Sequence, residues 1–146
     1  LSLRRQRQMC IRDRDNLTPA NLCRAVVEGT TFGLRYGLDL LRAAGLHSQS
    51  IRLIGGGAKS LLWRQMVADI MHAPVICPRE AEAAALGAAI QAAWCHGRLD
   101  DPDLDLQQLC ERCVRLDPGS ETQPRAEHVA AYEPVYQRYR QQLASL

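Results

Sequence analysis

At 146 residues, 47% of them hydrophobic and with a formal net charge of +2, the chain has the length of one domain and enough apolar material to bury a core. No apolar run approaches the roughly 20 residues that cross a bilayer, and no apolar stretch follows the N-terminal arginines as a secretory signal requires, so a cytoplasmic protein with no membrane partner is expected. The positive charge is local: residues 1–14 hold five arginines against one acid, the remainder carries −2, and no aromatic residue interleaves those arginines, which argues against a nucleic-acid partner.

LSLRRQRQMCIRDR, residues 1–14, reads as an arm that is not native to the domain, and folded structure is expected from residue 15 to residue 146. Thr18-Pro19 starts a helix, because Thr can cap the orphan amides and Pro suits the first helical position. From there Leu22, Val26, Gly29, Gly33, Tyr36, Leu40 and Ala44 recur at three- and four-residue steps, and Gly45 stops the run. Gly29, Gly33 and Gly37 share one stripe at a cost of roughly 1 kcal/mol each relative to Ala, which predicts a neighbouring backbone close to that face.

Ser50 to Ile54 reads as a strand that delivers the chain into Gly55-Gly56-Gly57. Leu61, Leu62, Met66, Val67 and Ile70 then form a helical apolar stripe, and the proline-bounded segment 74–78 is a second short strand. Residues 80–96 are a helix made mostly of Ala around Gly87, anchored by Leu86, Ile90 and Trp94 and suited to close packing. Asp100, Asp101, Asp103 and Asp105 read as a solvated linker, since the glycine and terminal Glu of a calcium loop are missing.

Six cysteines in a chain of this kind suggest thiols before disulfides. Cys110 and Cys113 form a single C-x-x-C beside Leu106, Leu109 and Val114; one pair is too little for a structural zinc, and a helix face is expected, with no metal in this chain. Residues 115–125 read as a Pro/Gly/Ser loop, and a last helix carries Tyr132, Tyr136, Tyr139 and Leu143 on one face.

This order of elements is α/β, with a helix-rich, incomplete sheet whose ligands belong at the carboxyl ends of strands. The glycines sit at such an end. A phosphate loop of the Walker type would need Gly at Ala58 and at Leu53, and a dinucleotide fingerprint would need Gly at Ser60, so neither is present. What remains is a bare turn followed by a helix N-terminus, which suits an adenosine better than a phosphate. A tight strand-to-helix turn that binds nothing is the alternative.

SIRLIGGGAKSLLWRQMVADIMHAPV, followed by EAAALGAAIQAAW, resembles the C-terminal nucleotide-binding domain of the FGGY family of carbohydrate kinases, and among them the members acting on xylulose. LTPANLCRAVVEGTTFGLRYGLDLL and YEPVYQRYRQQL are similar to that family's preceding and closing helices, so the likeness runs from about Asp15 to Leu146. The resemblance implies a partial C-terminal domain of an actin-like (sugar kinase, Hsp70, actin) ATPase. Its implied reaction moves the γ-phosphoryl group of ATP to a sugar hydroxyl, the 5-hydroxyl of D-xylulose, with Mg2+.

By the same resemblance, the backbone of Gly56 and Gly57 contacts adenine and ribose, Gly55 and Ala58 shape the turn, and Ser60 and Leu61 stand where a contact to the base is made. Leu61 departs from this pattern, having no polar side chain to offer. Lys59 is expected to face solvent, and Glu82, Ala85 and Gly87 match a small-residue helix near the cleft. The catalytic Asp, the sugar-binding residues and both phosphate loops are expected outside this chain, which alone should be inactive. Asp69, mid-helix, is expected at the surface rather than as a base.

ATP or ADP, the sugar through the rest of the enzyme, and a second copy in a homodimeric full-length enzyme are the expected partners. Another sugar in the same family (glycerol, gluconate or ribulose) is an alternative. A non-catalytic α/β interaction module, with the tyrosine face of the last helix as its partner surface, is another.

Overall fold

The structure is a computed structural model that describes residues 18–80 and 82–145; the Arg-rich arm lies outside the described residues. Helix α1 spans Pro19–Ala43. Thr18 caps it as expected, its hydroxyl accepting from the Asn21 amide at 3.2 Å. At the other end Gly45, at φ 87°, lets the Leu46 amide reach back to the Leu41 carbonyl and the Gly45 amide to Arg42, the hydrogen-bond pair of a left-handed helix stop.

Strand β1 (Ile51–Arg52) runs into a single 3-10 turn over Gly56–Lys59, then into helix α2 (Leu61–Met71) and strand β2 (Val75–Pro78). Helix α3 (Ala83–Gly97) and helix α4 (Leu106–Cys113) follow and pack on each other. Strand β3 (Leu116–Thr122) and helix α5 (Ala126–Leu143) close the chain. Among the described residues, no helix is long and apolar enough to cross a membrane.

The sheet has the order β1-β2-β3, with β1 parallel to β2 and β3 antiparallel to β2. Strand β3 falls where a loop was expected. Val75 faces Thr122 but Cys77 faces Asp117, so the extra β3 residues bulge out between these pairs. Pro118 and Gly119 sit inside that bulge, and the buried Ser120 hydroxyl accepts from the Cys77 amide at 2.8 Å, serving a donor that the ladder would leave unpaired. Turn residues therefore mark an irregularity within the strand, not its absence.

Helix α2 is the centre of the molecule, and Met66 to Met71 are all buried. On one side Val67, Ala68 and Met71 pack with Ala73 and Val75 beneath the sheet; on the other Met66 and Ile70 pack with Phe32 and Tyr136. Trp63 borders both groups. The expected stripe of α2 is thus buried from Met66 onward, whereas Leu61 and Leu62 are exposed.

Helix α1 corrects its own pattern more strongly. Its buried residues are Thr31 and Phe32, while Leu22, Val26 and Leu40 are exposed. Among the described residues no backbone of another element lies within 4 Å of the Cβ positions of Gly29, Gly33 or Gly37, and Gly33 meets only the Tyr139 hydroxyl, at 3.6 Å. Helix α3 likewise leaves all its alanines but Ala83 exposed: Ile90 is buried and Leu86 and Trp94 are half-buried, but among the described residues nothing beyond the helix's own backbone comes within 4 Å of a Cβ at Gly87.

The acid run is in part structural, since Asp105 caps α4 by accepting from the Gln107 amide at 2.9 Å. Cys110 and Cys113 stand on α4, half-buried and exposed respectively. The tyrosines of α5 turn inward, so they do not form a partner surface: Tyr132, Tyr136 and Tyr139 each place a ring within 6.0 Å of Phe32, and Tyr136 is fully buried.

Candidate functional site

The three glycines leave β1 at its carboxyl end, and each has a different reason to lack a side chain. Gly55 takes φ 84° and ψ −175°, a region that only glycine enters readily. Among the described residues nothing lies within 4 Å of where a Gly56 Cβ would stand, so its backbone is open on that side. At Gly57 the space is taken: a Cβ would lie 1.7 Å from Trp63 Cζ3. The indole is held there by its Nε1 donating to Thr31 Oγ1 at 3.3 Å.

The turn closes on itself through the Ala58 amide to the Gly55 carbonyl at 3.1 Å and the Ser60 amide to the Gly57 carbonyl at 3.0 Å. Ser60 then caps α2, accepting from the Trp63 amide at 3.3 Å, so the positive end of an 11-residue helix opens directly after the turn.

Three concavities meet around this corner. An apolar groove of about 690 Å3 runs between α1 and α2, lined by Val26, Val27, Thr30, Ser60, Trp63 and Met66 among others. A smaller cavity of about 260 Å3 opens beside Gly55 and Ala58, with Lys59, Arg64 and Arg79 in its wall. A third, of about 450 Å3, includes Leu61, Gln65, Asp69, Arg125, His128 and Tyr132. The residues singled out in the sequence are thus divided: Gly55 and Ala58 border the second, Ser60 the first and Leu61 the third, while Gly56 and Gly57 line none of the three.

Asp69 is not the surface residue expected. It is 2% exposed, and its carboxylate accepts from Gln65 Nε2 at 2.9 Å, from the Arg125 amide at 2.8 Å, and pairs with His128 Nδ1 at 2.9 Å. Arg125 gives α5 no side-chain cap, and Asp69 takes that place from across the interface, setting a carboxylate at the positive end of α5. A carboxylate so fully engaged joins α2 to α5 and is not free to take a proton from a substrate. The apolar spacing around it gave no sign of this, because its partners Arg125 and His128 on the far side of the interface lie more than 50 positions away.

Among the described residues no group of three or more His, Cys, Asp or Glu could hold a metal ion. No cluster of carboxylates for the implied Mg2+ stands among the described residues. At the glycine turn nothing among the described residues lies within 4 Å of a Cβ position at Gly56, which leaves its backbone open on the side where the implied nucleotide would approach.

A sequence model described as "FGGY family of carbohydrate kinases, C-terminal domain" matches residues 4–96. The chain is 52% identical over 134 residues to a protein named xylulose kinase from Haemophilus influenzae, covering 92% of this chain and 26% of that protein. It is 33% identical over 128 residues to a glycerol kinase from Nocardia farcinica, covering 84% of this chain and 26% of that one. The solved structure of a ligand-bound xylulose kinase from Lactobacillus acidophilus superposes with a TM-score of 0.72 at 25% identity, over 86% of this chain and 24% of that one. The chain therefore spans about a quarter of the length of the relatives it matches.

Proposed function

The chain belongs to the FGGY family of carbohydrate kinases, and on that premise we propose that residues 15–146 are the adenosine-binding part of an ATP-dependent sugar kinase. The proposed substrate of the whole enzyme is D-xylulose and its product D-xylulose 5-phosphate, a reading supported by the 52% identity to a xylulose kinase. Glycerol kinase stands among the relatives at lower identity, which is why the sugar is part of the proposal and not of the premise.

The bare backbone of Gly55 and Gly56, at the carboxyl end of β1 and directly before the capped N-terminus of α2, carries this reading. A planar base or ribose can lie against Gly56 because nothing stands where its Cβ would be. Gly57 contributes through its backbone alone, its other face being filled by Trp63. Ser60 is committed to capping α2 and Leu61 is an exposed aliphatic side chain, so hydrogen bonds to the base come from backbone at this turn. ATP supplies the phosphoryl group; these residues bind and orient its adenosine, and positioning is most of the catalysis that such a transfer needs. The catalytic Asp, the sugar contacts and the metal belong to the rest of the enzyme, which we propose acts in the cytoplasm as a homodimer.

Titration of the chain with ADP, followed by calorimetry, tests this. Weak binding is expected, and Gly56→Leu should abolish it while leaving the melting temperature unchanged. A side chain at Gly57 would collide with the Trp63 indole, so Gly56 is the position to substitute. An ADP affinity that Gly56→Leu does not alter would overturn the adenosine seat.

A further inference from the structure

The cavity of about 260 Å3 beside the turn shares no lining residue with the apolar groove between α1 and α2. Three basic residues from separate segments line it: Lys59 from the 3-10 turn, Arg64 from α2, and Arg79 directly after β2. Lys59 and Arg79 take part in no ion pair among the described residues. Arg64 spends one terminal nitrogen on the Ser120 carbonyl at 3.3 Å, and its buried Nε has no acceptor. A buried guanidinium donor left unserved costs free energy unless an anion or water meets it.

Two carboxylates share the same wall, and each is half used. One oxygen of Asp117 accepts from the Gly119 amide at 3.1 Å, and one oxygen of Glu80 from the Glu82 amide at 3.1 Å. Their other oxygens have no partner among the described residues and are suited to accept from hydroxyl groups. Positive charge in excess, with spare acceptors beside it, matches a molecule that joins one phosphate to several hydroxyls. The volume falls below the roughly 300–1,000 Å3 usual for drug-sized ligands, which suits a small phosphate ester and not a whole nucleotide.

We propose that the pocket formed by Lys59, Arg64 and Arg79 with Glu80 and Asp117 is a second small-molecule site that binds a sugar monophosphate. The cations take the phosphate through charge-assisted hydrogen bonds, and the carboxylates take sugar hydroxyls. The cavity abuts the proposed adenosine turn, since Gly55 and Ala58 line it, but the cations and carboxylates that define it lie outside that turn's glycines, and the inference goes beyond the adenosine reading.

Calorimetric titration of the chain at low ionic strength, with ribose 5-phosphate, inorganic phosphate and ADP as separate probes, decides the matter. Ribose 5-phosphate should bind more tightly than inorganic phosphate and should weaken with added salt. Lys59→Gln and Arg79→Gln, which remove no internal partner and should fold normally, should each lower that affinity about tenfold. Arg112→Gln, on α4 and outside the cavity, should leave it unchanged. The proposal fails if ribose 5-phosphate does not bind, if it binds no better than inorganic phosphate, or if the two substitutions make no difference. It fails too if ADP displaces ribose 5-phosphate, since the pocket would then belong to the nucleotide. Failure of ADP to bind at all would touch only the adenosine reading.

Discussion

Gly57 and Gly56 are neighbours of identical composition whose substitutions should diverge. Gly57→Ala drives a methyl group into the Trp63 ring, and the indole can yield only by giving up Thr31 and its place between the two halves of the core. Overpacking of this kind costs roughly 1–3 kcal/mol. Gly56→Ala meets open space and should stay within about 0.5 kcal/mol of the unsubstituted chain. Urea unfolding of the two variants side by side measures the gap, and equal midpoints would show that Trp63 does not occupy Gly57. The triple glycine was conspicuous in the sequence. Which glycine takes the strained backbone, which stands in open space and which adjoins the core was not, because the last depends on a ring six positions away folding back over the turn.

Among the elements, α5 shows how local pattern and tertiary partner divide the work. Its tyrosine face was visible at helical spacing; that the face wraps Phe32 of α1 was not. Burial, and then the hydrogen bond from its hydroxyl to Asp39 at 2.7 Å, hold the Tyr136 phenol well above its ordinary range. The raised value means that the fold favours the neutral phenol, a contribution fully present below the unfolded pKa of about 10 and lost as pH rises toward the folded value. Above pH 10 the unfolding free energy should therefore fall by about 1.4 kcal/mol per pH unit on account of this residue. Tyr136→Phe should lose the Asp39 bond at neutral pH but remove that alkaline slope, as denaturant titrations between pH 9 and pH 12 would show. A variant with the slope intact would mean that the phenol is not sequestered. Strand β3 was illegible for the opposite reason: Pro118 and Gly119 signal a turn, and only the pairing with β2 makes that turn a bulge.

At the scale of the whole molecule, the apolar surface left uncovered sets how this chain behaves. Leu34 and Leu40 on α1 are 51% and 56% exposed, most alanines of α3 are exposed, and the glycine stripe meets no backbone of another element among the described residues. Exposed apolar area of this kind promotes association. Leu34→Lys with Leu40→Lys should lower binding of a hydrophobic dye and reduce self-association in sedimentation, while changing stability by no more than about 0.5 kcal/mol per site. A marked loss of stability would show that those leucines are packed within this chain.

The sequence by itself determined the family resemblance, the capped start of α1, the apolar run of α2 and the glycine turn between strand and helix. These are features of local spacing and backbone freedom, and each is written within a few residues. Only the tertiary structure decided that α2 is the buried axis, that Asp69 fastens α5, that Ser120 repairs the sheet, and that three cations from separate segments share one cavity with Glu80 and Asp117. Those are meetings of residues far apart in the chain, and the periodicity of a segment specifies which face is apolar without specifying what will cover it.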